Sequence, residues 1–237
     1  MSPEAQARLA VVAVSGLASE ARIAAGPGVV AIAAAGDPRR LAQLLEREIA
    51  LGARGIISFG VAGGLAEHIG TGAWLVGRAI VTDELRWPCD AAWARDLVAR
   101  LPGAIAADLA GVDAPVMRPA AKRALHRTTG AAAVDTESHV AAAIAAKHGL
   151  PFAAFRVVVD SVRRSLPPVA SVALTPEGRI SHAAVLRSLA NTPSQIPTVL
   201  RTAVDARRAY RALLRGRRRL GRGLAHPDFG EPLLDVP

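Results

Sequence analysis

One stretch, residues 130–160 (GAAAVDTESHVAAAIAAKHGLPFAAFRVVVD), constrains the fold of this chain more than any other. It reads as strand, helix, strand. The apolar run 131–134 ends in Asp135, Thr136 and Glu137. Val140, Ile144 and Ala145 then fall on one face of a helix. Lys147, His148 and Gly149 give a basic last turn followed by glycine, and Pro151 forbids continuation. Residues 152–159 form a second apolar run, interrupted by Arg156 and stopped by Asp160. Glu137 and Asp160 therefore each sit just past the carboxyl end of a buried strand, where open α/β sheets bind their ligands.

The same alternation runs through the N-terminal half. Strands are expected at 9–14, 28–35 and 56–59, the last running into Gly60-Val61-Ala62-Gly63-Gly64. Between the second and third, Pro38 opens a helix carrying Leu41, Leu44, Leu45 and Ile49 at helical spacing. A strand over 72–82, bent at Gly77, is followed by a loop over 83–89, a helix over 91–101, a short strand over 103–108 and a helix over 120–126. This order predicts an α/β fold: three layers around a central mixed, largely parallel sheet. Residues 161–178 are loop-rich; a helix follows over 181–189, and a second begins near Ser194 with Pro197 in its first turn. The division expected is a catalytic domain over 1–192 and, packed on it, an Arg-rich amphipathic helix and tail over 193–237.

Composition narrows the function. Of 237 residues, 51% are hydrophobic but only 3% aromatic, so the core is built from Ala, Val, Leu and Ile. No apolar run approaches the ~18 uncharged residues of a membrane span. The N-terminus lacks the basic start and long apolar centre of a signal peptide, so a cytoplasmic protein is expected. Cys89 is the single cysteine, which excludes an internal disulfide and a cysteine-based zinc site. His68, His126, His139, His148, His182 and His226 complete no ligand spacing, so no metal is expected.

Loops after four strands carry Ser15 to Glu20, Gly36 to Arg40, Gly60 to Gly64 and Asp160 to Arg164. In a parallel sheet these ends share one edge, so Glu20, Glu137, Asp160 and a glycine-rich loop converge on one cleft. Blander readings exist for each: a tight turn at 60–64, a first-turn acid at Glu137, a cap at Asp160, and an ion-pair role for Arg156. Neither GxGxxG nor GxxxxGK[ST] is present, so nothing supports a dinucleotide fold or a P-loop.

Three motifs, Gly60-Val61-Ala62-Gly63-Gly64-Leu65, Val134-Asp135-Thr136-Glu137-Ser138 and Phe155-Arg156-Val157-Val158-Val159-Asp160, resemble the purine nucleoside phosphorylase and nucleosidase superfamily over about residues 9–190. Ser165-Leu166-Pro167-Pro168 and the Arg-rich helix look like its hopanoid-associated branch, which acts on adenosylhopane. The resemblance implies cleavage of the N-glycosidic bond of a 5′-modified adenosine. It makes Asp160 the acid that protonates the purine at N7, Glu137 the grip on the ribose hydroxyls, and Glu20 the carboxylate that activates water. Thr136, Arg156, Gly60, Val61, Ala62 and Gly63 are then expected to bind substrate, and Pro115 and Val116 to line the purine pocket. The chemistry suits the residue types: carboxylates stabilise an oxocarbenium-like sugar, and burial keeps an acid protonated near neutrality. Arg156, if close, would instead lower the proton affinity of Asp160.

Two positions depart from the family pattern. Thr136 stands where a methionine is common, and Val61 where Ser or Thr is common. No cofactor is expected, with phosphate a candidate co-substrate. The anion site would then be Gly36-Asp37-Pro38-Arg39-Arg40 at a helix N-terminus, although Glu20 would repel phosphate and favours water. Rival readings are a methylthioadenosine/adenosylhomocysteine-type nucleosidase on soluble nucleosides and a non-catalytic binding protein.

Net charge is 29 − 20 = +9. Much of it lies in the acid-free segment 206–227, which holds Arg207, Arg208, Arg211, Arg215, Arg217, Arg218, Arg219 and Arg222. With Tyr210 the only aromatic among them, nucleic acid is disfavoured. The helix is expected either as a solvated face or as a peripheral contact with an anionic membrane. Superfamily members often dimerise, so a homodimer is compatible with the resemblance.

Overall fold

A computed structural model describes residues 10–167, 175, 178–179 and 181–229. The loop-rich segment after Asp160, including Pro168 of the branch motif, lies partly outside the described residues, as does the end of the tail.

Short apolar runs of Val, Ile and Ala form most of the strands, and Ala- and Leu-rich segments form the helices. In chain order these are β1 (Val11–Ser15), α1 (Ala18–Ala24), β2 (Val29–Ala33), α2 (Pro38–Ala50), β3 (Gly55–Gly64), β4 (Trp74–Val81) and β5 (Arg86–Pro88). Next come α3 (Ala91–Arg100), β6 (Ile105–Gly111), α4 (Pro119–Thr129), β7 (Ala133–Asp135), α5 (Ser138–Lys147) and β8 (Phe152–Asp160). The described chain ends with α6 (His182–Asn191) and α7 (Ile196–Leu220), followed by short 3₁₀ turns. Pro38 and Pro197 occupy first turns, as their missing N–H requires.

The sheet is mixed. β1 pairs in parallel with β2 and β3, β3 with β8, β4 with β6, and β6 with β7. β3–β7, β4–β5 and β4–β8 are antiparallel. Consequently β3, β8, β4, β6 and β7 close into a ring, from which β1 and β2 extend as an open wing. One face buries Leu41 and Leu45 of α2 with Ala141, Ala142 and Ile144 of α5. The other buries Trp93 and Leu97 of α3 with Ala209, Ala212 and Leu213 of α7.

Three expectations change. Residues 60–64 are neither loop nor turn: they continue β3, pairing with β8 and then β7. Small residues permit this because a bare backbone accepts close neighbours on both sides. A Cβ at Gly60 would lie 2.9 Å from both Arg156 Nη1 and Glu20 Oε2. Secondly, residues 86–88, read as loop, form β5 on a sheet edge, where Pro88 needs no ladder donor. Thirdly, the site acids do not converge along one parallel edge. β7 runs against β3, so Glu137 is carried back toward the middle of β3 and shares a cavity with Asp160 rather than an edge. The bend expected at Gly77 is a register shift between Gly77 and Ile80.

The second half of α7 is docked rather than free. Ala209, Ala212, Leu213, Gly216 and Leu220 are buried. Trp74 Nε1 donates to Ala212 O at 2.9 Å, and a Cβ at Gly216 would stand 2.5 Å from Phe155 Cζ. Arg217 Nε donates to Ala24 O at 2.8 Å, tying α7 to α1. The first half is different: Ile196, Leu200 and Val204 are exposed, four residues apart on one face, with Leu186 of α6 also exposed.

Candidate active site

A cavity of about 480 Å³ lies where β3, β7 and β8 meet. Glu20, Val61, Ala62, Gly63, Pro115, Val116, Thr136, Glu137 and Asp160 all line it. Val112, Asp113, Val134, Asp135, Val159 and Leu166 complete its surface with Gly16 and Leu17 of the β1–α1 turn and Ala35 and Gly36 after β2. Gly60 and Arg156 do not line it; they lie behind its surface.

Arg156 is completely buried and organises one charged cluster. Its Nη2 donates to Ser58 Oγ at 2.5 Å and to Glu137 Oε2 at 3.4 Å, and stands 3.1 Å from Asp135 Oδ1. Nη1 donates to Val61 O at 3.3 Å. Asp135 also accepts the backbone N–H groups of Glu137 and Ser138 and the Ser138 hydroxyl, which starts α5 and fixes Glu137 at its N-terminus. The acid that caps this helix is thus Asp135, with Glu137 left to face the cavity.

Glu20 is held from the other side of the same cluster. Its Oε1 accepts Val61 N–H at 3.1 Å and its Oε2 accepts Leu17 N–H at 3.0 Å. Burial pushes its pKa up to about 7, against the pull of Arg156 and with the repulsion of Glu137. Burial likewise raises Glu137, opposed by Arg156 and reinforced by Asp135. The Thr136 hydroxyl donates to Glu137 Oε1, so threonine at this position pins the carboxylate.

Asp160 belongs to a separate cluster. The cation beside it is Lys122 of α4, not Arg156. Lys122 is fully buried; its Nζ donates to Asp160 Oδ2, to Ser161 O at 3.2 Å and to Arg164 O at 3.1 Å. Burial raises the proton affinity of Asp160, Lys122 lowers it, and buried Asp205 raises it further; the net direction is upward. Sequence reasoning passed over Lys122, yet a signal existed. The chain has only two lysines, Lys122 and Lys147, against 29 − 2 = 27 arginines. Lys122 also sits in the first turn of a helix, where a cation opposes the dipole and needs a partner to hold it.

The anion site expected at the start of α2 is already filled. Asp37 Oδ1 accepts the N–H groups of Arg39 and Arg40 at 2.9 and 3.0 Å, leaving phosphate no such donors. Among the described residues no group of three His, Cys, Asp or Glu could hold a metal ion. No helix there is long and apolar enough to cross a membrane. Trp87 packs on the core and Trp93 is buried, its Nε1 donating to Leu224 O at 2.9 Å.

The curled mixed sheet has the fold of solved nucleosidases. The family model described as the phosphorylase superfamily matches residues 108–190, from β6 into α6. A methylthioadenosine/adenosylhomocysteine nucleosidase from S. pneumoniae, solved with a transition-state inhibitor, superposes with a TM-score of 0.61 at 14% identity, covering 89% of this chain and 99% of that one. Futalosine hydrolase from Helicobacter pylori gives a TM-score of 0.61 at 14% identity over 78% and 98% of the two chains. An adenosylhomocysteine nucleosidase from Streptococcus pyogenes gives 0.60 at 14% identity over 87% and 94%. No curated protein matches the sequence.

Proposed function

We propose that the protein hydrolyses the N-glycosidic bond of a 5′-modified adenosine, releasing adenine. The observation that carries this reading is a pair of buried carboxyls with raised proton affinity in one cavity but in different settings: Glu20 on two backbone N–H groups in the field of Arg156, Asp160 on Lys122. Glu20, at about 7, is poised to take a proton from water near neutrality. Water attacks C1′ and gives its proton to Glu20. The C1′–N9 electron pair leaves with the purine, and Asp160 passes its proton to N7. Glu137, pinned by Thr136 and Arg156, keeps lone pairs for the ribose hydroxyls. Pro115, Val116 and Leu166 give the purine an apolar bed. Water is favoured over phosphate because Glu20 is acidic and the α2 N-terminus is occupied. The step uses no cofactor and no metal.

The 5′ substituent is proposed to be a hopanoid chain, as in adenosylhopane, with the protein cytoplasmic and working at the inner membrane surface. The exposed face of α7 favours this: Ile196, Leu200 and Val204 form an apolar row beside exposed Arg201 and Arg208. The docked second half offers arginines but buries most of its apolar side, leaving Leu214 exposed. Sedimentation with phosphatidylglycerol vesicles tests the contact. The parent should bind and Leu200→Glu should release it; equal binding by both sinks the contact. Adenine release from adenosylhopane and from 5′-methylthioadenosine, compared side by side, tests the substrate. Faster cleavage of the soluble nucleoside overturns the lipid reading, and release from neither overturns the enzyme.

A further inference from the structure

We infer that Lys122 is a positioning residue that makes Asp160 a usable acid, holding one carboxylate oxygen and stabilising the charge left when the proton departs. The inference rests on the reading of Asp160 as the proton donor to the purine, and it goes beyond it by naming what controls that donor.

The geometry is specific. Lys122 Nζ makes three donor contacts, to Asp160 Oδ2 and to the carbonyls of Ser161 and Arg164. The three oxygens match in number the three N–H donors that a lysine ammonium carries. A fully buried ammonium with all donors engaged cannot swing, so Oδ2 is fixed. Among the described residues Oδ1 has no hydrogen-bond donor of its own, and the Asp160 side chain borders the cavity. Oδ1 is thereby the oxygen presented to a purine. The two carbonyls belong to the chain just past β8, so the same amine sets the direction in which β8 ends.

The energetics point the same way. In the reaction the C1′–N9 bond breaks, N7 gains a proton, and Asp160 becomes a carboxylate in a buried site. Without a counter-charge that anion is costly, and the acid holds its proton too tightly. The other charged groups around the pair do not replace the ammonium. Asp205 adds negative charge, and Arg164 Nε lies 3.4 Å from Asp205 rather than on Asp160. Arg123 of α4 and Arg163 both turn outward to Glu67. Across the cavity, Glu20, Asp135 and Glu137 already share Arg156.

The test compares leaving groups. Adenine needs protonation to depart; 4-nitrophenolate does not. Parent, Lys122→Met and Asp160→Asn are assayed with the better substrate of 5′-methylthioadenosine and adenosylhopane, and with the ribosyl 4-nitrophenolate bearing the same 5′ group. Lys122→Met should lose about 10- to 100-fold in kcat for adenine release, keep nitrophenolate release within about twofold, and shift the alkaline limb of the adenine pH profile upward by about one pH unit or more. Equal losses on both substrates, or an unmoved limb, reduce Lys122 to a structural strut and overturn the inference. Should Lys122→Met fold poorly, Lys122→Ala with added ammonium ion decides: selective recovery of adenine release supports the inference, recovery of both activities or neither overturns it. If Asp160→Asn releases adenine as fast as the parent, the failure lies in the assignment of the acid instead.

Discussion

The cavity holds two charged clusters built on different ratios. Around Arg156, three acids (Glu20, Asp135 and Glu137) share one guanidinium. Around Asp160, one acid faces one ammonium directly. The first cluster is over-supplied with carboxylates, so it retains protons near neutrality and welcomes positive charge at a sugar. The second is balanced, which suits an acid that must give a proton away and tolerate the anion that remains. The difference also explains the choice of cation. The planar fork of Arg156 reaches several acceptors at once, whereas Lys122 is a point charge on a flexible stem aimed at one carboxylate.

Breaking either cluster should therefore fail differently. The largest effect is expected at the acids themselves: Asp160→Asn and Glu20→Gln should each lower kcat for adenine release by about 10²–10⁴-fold while leaving the fold intact, as read by steady-state assay beside circular dichroism. Arg156→Met should act chiefly on stability, because it strands three buried carboxyls. A loss of about 3–5 kcal/mol in denaturant unfolding is expected, and a loss near zero would mean the cluster does not depend on its cation. The smallest effect sharpens the proton count. Glu20 binds its proton with a pKa of about 7 when folded, against 4.5 as the ordinary value. Between those values the folded state holds more protons than the unfolded one, so this contribution is full below about 4.5 and lost as pH rises toward 7. Tm should fall across that window in the parent and fall less in Glu20→Gln.

The strand–helix–strand over 130–160 was legible because alternation, capping and proline each mark the same boundaries. The acids at its strand ends were legible because an apolar run stopped by a carboxylate has few structural uses. What was not legible depended on the curl of the sheet. Nothing local announces that β7 turns back against β3, so a flat parallel edge was the natural expectation and residues 60–64 read as a loop. Lys122 was missed because it lies 38 residues from Asp160 in sequence and pairs through a helix-to-strand contact with no periodic signature. The basic helix was legible as amphipathic, but its stripe divides: Ala209, Ala212 and Leu213 bury against the sheet, while Ile196, Leu200 and Val204 stay outside.

The central claim is that Glu20 activates water while Asp160 protonates adenine. Its most direct test is identification of both products from an adenosine derivative incubated with and without inorganic phosphate. Adenine and a free reducing sugar, formed at the same rate in both, are the predicted result. A sugar 1-phosphate, or no adenine at all, would contradict it.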